Sequence, residues 1–335
     1  MNRYRVSCRI AAGLTGLLLT LSPAAPALAS CGSANCFLVS GVGDAVVEPG
    51  QTVVDLSYRY IPQDVKKAGS GHASAVLVPK VDFENGVIVP DHHLEYRTVN
   101  MLAELDVTYG LTPNLTLAVA VPFMNDRLHE HVDDVGGADE AFVNTDGTAG
   151  FGDVAVGLRY AARTTARAML TVGAGVKLPT GEYKLRDRDG GINEPTLMPG
   201  TGSFDYRLSA IFRYLVVPER VTAFLSGSTS LNTENDLDYR RGDAVGASAG
   251  ATWDATERID LSAQVNARRT GRDKFLGMPV PSTGATYVFV TPGIRLDTGA
   301  ETSLYAHVQV PVHTDVNEVN LVPRYALQMG VTHSF

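Results

Sequence analysis

The sequence has three cysteines and one tryptophan in 335 residues, and no excess of basic over acidic side chains. Lys and Arg number 28 against 36 Asp and Glu, a formal charge of −8. That balance excludes the electrostatic footprint of a nucleic-acid binder. Mean hydropathy is near zero. Past the first thirty residues no apolar run is long enough for a helix to cross a bilayer, which excludes a helical membrane bundle. No later segment carries the 3.6-residue period of an amphipathic helix.

The one long apolar run is N-terminal. Arg3, Arg5 and Arg9 precede Ile10 to Leu21, and Ala27-Leu28-Ala29 offers a small-residue cleavage site. Residues 1–29 therefore read as a secretory signal peptide, outside the fold. Its loss removes Cys8 and makes the remainder more acidic. Cys31 and Cys36 are left, and an even pair in an exported chain predicts one small disulfide loop. Leu28-Ala29-Ser30-Cys31 also matches a lipobox, in which Cys31 would be lipidated and Cys36 left free. Residues 30–50 form a separate N-terminal segment, expected to fold partly into the interior of residues 51–335 as a plug.

What is present is alternation. Thr52 to Ile61 sets Val54, Leu56, Tyr58 and Tyr60 against Asp55, Ser57 and Arg59. Arg258 to Arg268 sets Ile259, Leu261, Ala263, Val265 and Ala267 against Asp260, Ser262, Gln264, Asn266 and Arg268. A period of two marks a strand between two different environments. The pattern recurs about twelve times, weakest over Val221 to Leu231, and ends with Tyr325 to Phe335. Connections alternate strictly between tight turns, as after Tyr109, Tyr160, Tyr214, Trp253 and Leu296, and long polar loops. The loops run Pro62 to Tyr96, Asn125 to Gly150, Pro179 to Gly202, Asn232 to Asp243, Arg269 to Gly284 and His313 to Asn320. An even strand number with one short and one long set of connections is the pattern of an outer-membrane β-barrel. The expected fold is an all-β, antiparallel up-and-down transmembrane barrel with both termini in the periplasm. Tyr109, Tyr160, Tyr214, Trp253 and Phe335 all fall in the apolar phase beside the tight turns or at the last strand's end. They predict an aromatic girdle at one membrane interface, with Tyr58, Tyr60, Phe123 and Tyr206 available for the other. The terminal strand must pair with the first to remove the sheet's edges. It is also the segment that the barrel-assembly machinery would engage.

Short motifs add a family resemblance. They include Ser30-Cys31-Gly32 through Cys36, Gly150-Phe151-Gly152-Asp153-Val154, and Gly173-Ala174-Gly175-Val176-Lys177-Leu178-Pro179-Thr180-Gly181. Gly200-Thr201-Gly202-Ser203-Phe204-Asp205, Thr291-Pro292-Gly293-Ile294-Arg295 and Val308-Gln309-Val310-Pro311-Val312 follow. In this order they resemble the outer-membrane transporters named for the meta pathway of phenol degradation. The resemblance implies passage of small hydrophobic or aromatic solutes, and no catalytic residue set.

The inward phase carries both signs of charge: Asp55, Glu104, Asp106, Asp153, Asp205 and Asp260, with Arg59, Arg159, Lys177, Arg207, Arg213, Arg268, Arg295 and Arg324. They either pair across a narrow lumen and brace it, since an unpaired interior charge is costly, or line a path that selects solutes. Inward Gly157, Gly173, Gly175, Gly246, Gly250 and Gly330 predict local room. Pro122, Pro292 and Pro311 are expected inward, at kinks or bulges. The loop runs Asp91-His92-His93 and His129-Glu130-His131-Val132-Asp133-Asp134 have metal-like spacing but no closed ligand set, so no metal or other cofactor is assigned. His307 is inward, yet nothing singles out a nucleophile for it, and no enzyme is expected. The expected role is a channel for small solutes, contacting outer-membrane lipid and lipopolysaccharide. The alternative is a closed structural barrel whose loops bind lipid, metal or a partner.

Overall fold

The computed structural model describes residues 46–133, 135, 144–188 and 190–335. Cys31, Cys36 and the cleavage region lie outside the described residues. Twelve long antiparallel strands among them form a closed wall: β1 Thr52–Ala68, β2 Val87–Thr112, β3 Leu115–Val132, β4 Ala155–Thr164, β5 Ala168–Lys177, β6 Asp205–Val217, β7 Val221–Leu231, β8 Ala244–Asp254, β9 Ile259–Thr270, β10 Ala285–Gly299, β11 Thr302–Val316 and β12 Ala326–Ser334. Each pairs with its neighbour in sequence, and β12 returns to β1 from Val53 opposite Ser334 to Tyr60 opposite Leu327. Closure leaves no strand edge over that span.

The outer face explains the alternation. Leu56, Leu158, Leu208, Leu225, Val265, Ile294, Leu304 and Met329 are all exposed, although each is strongly apolar. A continuous band of exposed aliphatic side chains is stable only against hydrocarbon. Tyr109, Tyr160, Tyr214, Trp253 and Phe335 are likewise exposed at the rim of tight turns. Outward Asp126, Arg97 and Glu130 mark where the apolar band ends at the other rim, with Arg97 3.7 Å from Glu130.

Several strands outrun the loops expected from sequence. β1 continues to Ala68, β2 begins at Val87, β3 reaches Val132 and β11 reaches Val316. Polar composition hides these extensions, because beyond the membrane both strand faces meet water or loops while the backbone ladder still satisfies its own polar groups. Short strands extend the wall further. Leu77–Asp82 pairs with β2, Asn144–Thr148 with β3, and Val319–Pro323 with the outer half of β1. The β7–β8 and β9–β10 loops add a three-stranded sheet over Tyr239–Arg240, Lys274–Phe275 and Met278–Pro279. Val81, Tyr239, Phe275 and Val280 pack beneath it as a small core at the mouth.

Two expectations about wall breaks change. Pro122 and Pro311 do sit at register shifts, facing Glu104 and Phe289 across the ladder. Pro292 faces outward, because it pairs with outward Ala263 while its neighbour Gly293 pairs with Ser262. The glycines also divide. Gly157 and Gly175 face each other across β4 and β5. Gly330 gives no room: a Cβ there would lie 2.5 Å from the Tyr305 hydroxyl. Gly250 is filled in the same way by Gln264 and Phe224.

Candidate functional site

The lumen is the concave site of this fold, and its two sides are built differently. On the side of β1 and β9 to β12, large side chains fill it. Tyr287 and Phe289 stack with ring centres 5.4 Å apart and are fully buried. They pack with Ala285, Val316, Val322 and Val65 toward the long-loop rim. Lower down, Asp55 accepts hydrogen bonds from the Tyr305 hydroxyl at 2.8 Å and the Thr332 hydroxyl at 2.6 Å. This ties β1, β11 and β12 together across the closing seam. Asn266 donates to Ser248 and Gln264, both at 2.9 Å, and accepts from Thr291 at 2.7 Å. His307 lies over Gly293, its ring where a Cβ would stand. The hydrogen bonds at Asp55 and Asn266 offset the desolvation of these buried polar groups and fix one arrangement.

On the side of β3 to β8 the inward residues are small: Ala118, Ala120, Ala155, Gly157, Gly173, Gly175, Ser209, Ser228, Ala244 and Gly246. They bound a cavity of about 440 Å³. Arg59, Glu104, Asp106, Arg159, Arg207 and Arg268 project into it. Arg59 pairs with Glu104 at 2.8 Å. Arg207 and Arg268 make no ion pair among the described residues.

The wall glycines and the family-like motifs converge on a buried brace at the long-loop rim. Lys177 Nζ lies 2.6 Å from Asp153 and 2.8 Å from Asp205, and all three are buried. Lys177 also donates to the Thr201 hydroxyl and to the Ser203 carbonyl. Asp153 accepts the Gly181 and Thr201 backbone N–H groups, each at 2.9 Å. Asp205 accepts from the Ser203 hydroxyl at 3.0 Å and the Thr233 N–H at 3.1 Å. Two carboxylates facing one ammonium leave a net negative charge, and these extra donors are what stabilise it in a buried place. Gly181 and Gly200 meet backbone to backbone, since a Cβ on Gly181 would lie 2.9 Å from the Gly200 Cα. Only glycine permits that approach.

The brace carries a lid. From Gly181 the chain passes through Glu194 to a short 3-10 turn, Pro195–Leu197, and returns at Gly200. Leu197 and Met198 are buried, and Met198 and Pro199 line the cavity. Asn125 donates to the Pro199 carbonyl at 2.6 Å, Thr148 to the Leu197 carbonyl and Arg241 to the Pro195 carbonyl. At the opposite rim, Val47 is buried and donates its N–H to inward Thr116 at 3.1 Å. Its neighbour Glu48 lies over Gly110, where any Cβ would collide with the Glu48 carbonyl.

Of the residues expected inward, Arg213 shares Phe224's face, and Asp260 pairs with Arg295 across β9 and β10 toward the tight-turn rim. Arg324 does not line the lumen. It sits at the kink between Val319–Pro323 and β12, its side chain 65% exposed, and bonds Asp64 at 3.0 Å. The chain bends there because the outer segment leaves β11 to follow β1. The inward aromatics Tyr287, Phe289 and Tyr305 escaped sequence reading. A glycine opposite an aromatic on the adjacent strand, as with Gly330 and Tyr305, was the available signal.

The family model described as "Putative MetA-pathway of phenol degradation" matches residues 82–319. The chain belongs to that family. No curated protein sequence matches it. Among solved structures it is similar to an outer membrane channel of Pseudomonas putida F1, at 16% identity and TM-score 0.59, over 89% of this chain and 100% of that one. Weaker likenesses include the NanC porin, at 10% identity, TM-score 0.42 and 84% and 98% coverage. The P. putida toluene transporter TodX gives 10%, 0.40, and 86% and 90%. The fold is that of a Gram-negative outer-membrane β-barrel, as the alternation predicts.

Proposed function

We propose that the protein is a passive outer-membrane channel for small aromatic solutes, favouring those that carry a carboxylate or hydroxyl group. The observation carrying this is the one-sided cavity of about 440 Å³, within the size range of small-molecule sites. Its wall mixes apolar and polar groups, and Arg207 and Arg268 have no ion-pair partner there among the described residues. A bare aromatic hydrocarbon gains only a modest cation–π contact from two guanidinium groups, whereas a carboxylate or phenolate gains charge-assisted hydrogen bonds. The tight turns and both termini would then face the periplasm and the long loops the exterior. The N-terminal segment would enter at the periplasmic mouth, where Val47 and Glu48 lie against Thr116 and Gly110. The remaining inward charges, the Asp153–Lys177–Asp205 group foremost, would brace the wall.

The lid over the cavity favours the second reading, a closed structural barrel. Planar-bilayer recording and liposome swelling separate the two. The channel reading expects conductance with anion preference and faster swelling with benzoate than with a cationic benzyl amine of similar size. Absence of conductance, with no swelling in any solute, would establish the closed barrel.

A further inference from the structure

The long-loop rim holds a cluster that the sequence shows only as separate fragments. His93 and Glu95 lie two residues apart on the outer end of β2, and His129 and His131 on β3 beside it. Glu194 reaches them from the lid. His93 Nε2 is 3.0 Å from Glu194 Oε1 and 3.4 Å from Glu95 Oε1, and His129 Nε2 is 3.6 Å from that same Glu95 oxygen. The group sits between a cavity of about 260 Å³ and a smaller one of about 70 Å³.

Ordinary ion pairing accounts poorly for this arrangement. Two carboxylates converge on one imidazole nitrogen, which has a single N–H to give. His93 Nε2 and Glu194 Oε1 are buried and 3.0 Å apart, yet neither has a well-aligned hydrogen-bond partner among the described residues. The nearby cations are committed elsewhere: Lys80 to Asp187 at 3.6 Å and Arg188 to Asp133 at 3.5 Å. Glu95 and Glu194 have only imidazoles within ion-pair distance among the described residues. A tetrahedral zinc ion, with bonds of about 2.0–2.1 Å, spaces its ligand atoms roughly 3.3 Å apart. The His93–Glu194 and His93–Glu95 separations of 3.0 and 3.4 Å bracket that edge, the ligand atoms of His93, Glu95 and Glu194 all lie within 4.8 Å of one another, and His129 adjoins the group through Glu95 at 3.6 Å. The orienting partner is present too, with Thr98 Oγ1 2.9 Å from His129 Nδ1, which fixes the ring so that Nε2 faces the cluster.

We propose that His93, Glu95 and Glu194, with His129 drawn in from beside Glu95, bind one zinc-type transition-metal dication, and that it fastens the lid to the wall. The mixed imidazole and carboxylate set suits a borderline metal better than calcium or magnesium, which prefer all-oxygen shells. His92, His131 and Asp133 stand next to it, with His131 2.8 Å from Asp133.

The test uses full-length protein purified without a histidine tag, folded in detergent, stripped with chelator and titrated with Zn²⁺ and with Co²⁺. The expected result is one dication per chain, with the visible absorption of low-symmetry Co²⁺ displaced by Zn²⁺ and indifferent to excess Ca²⁺. Glu194→Gln and His93→Ala should lose the Co²⁺ spectrum while retaining the heat-modifiable mobility of the barrel. Thr98→Val, which removes only the orienting hydroxyl, should keep the spectrum and weaken affinity about 10- to 100-fold. The proposal is overturned if wild-type protein shows no saturable Zn²⁺ or Co²⁺ binding. It is equally overturned if Ca²⁺ displaces the metal, or if Glu194→Gln binds as tightly as wild type. None of these outcomes depends on whether the barrel conducts.

Discussion

The two sides of the lumen are made from the same strand pattern and do opposite things with it. On β1 and β9 to β12, inward positions hold tyrosine, phenylalanine, histidine and amides that interlock across the seam. On β3 to β8, inward positions are mostly glycine, alanine and serine, and space remains. Outward positions do not differ in this way, since both sides present aliphatic residues to lipid. The comparison separates what holds the barrel closed from what leaves it open. The filled side contains the β1–β12 junction, where the chain's two ends must find each other. The roomy side contains only consecutive hairpins, which close locally and need less from their inward side chains.

Breaking the brace on the roomy side has the largest expected effect. Lys177→Met would leave Asp153 and Asp205 facing each other without their shared cation. Removing one partner of a buried ion group costs about 3–5 kcal/mol. Urea unfolding of the barrel in lipid vesicles should show that loss. Asp153→Asn in the same background should recover part of it, because the uncompensated charge falls. Next comes the seam. Tyr305→Phe removes one of the two hydroxyl donors to Asp55 and should cost about 1–3 kcal/mol in the same assay. Its effect on conductance should be slight, since the ring still fills the space above Gly330. Smallest in stability is Arg207→Ala, within about 0.5 kcal/mol, because among the described residues the side chain has no ion-pair partner to abandon. Its consequence belongs to function: the reversal potential in a salt gradient should shift toward lower anion preference. A stability loss from Arg207→Ala as large as that from Lys177→Met would erase the distinction between brace and path.

The outward half of most strands, Val221 to Leu231 excepted, was legible in the sequence because lipid tolerates little variation. Leu56, Leu105, Leu158 and Leu304 had to be apolar, and tight turns had to follow Tyr109 or Trp253. The pairing of β12 with β1 follows from closure itself. The inward half was less legible because a lumen accepts anything that fits. Tyr287 and Phe289 obey no polar alternation, since they pack on each other and on Val322 from a different segment. Gly330 and Gly173 look identical along the chain, yet the first sits under Tyr305 and the second lines the cavity. That difference depends on the neighbouring strand's register, which sequence alone does not supply. The histidine pairs were visible as pairs; their meeting with Glu194 requires the lid to fold back over β2 and β3. Arg324 falls at the break between Val319–Pro323 and β12, where the register along β1 shifts, and a continuous period of two conceals that break.

The claim that solutes pass along the small-residue side is tested most directly by single-channel conductance of two variants. Ser209→Trp places a large ring into the cavity from β6. His307→Ala removes a ring from the filled side. Conductance reduced several-fold by Ser209→Trp, and nearly unchanged by His307→Ala, is the predicted result. Unchanged conductance in Ser209→Trp, or a large rise in His307→Ala, would contradict the account.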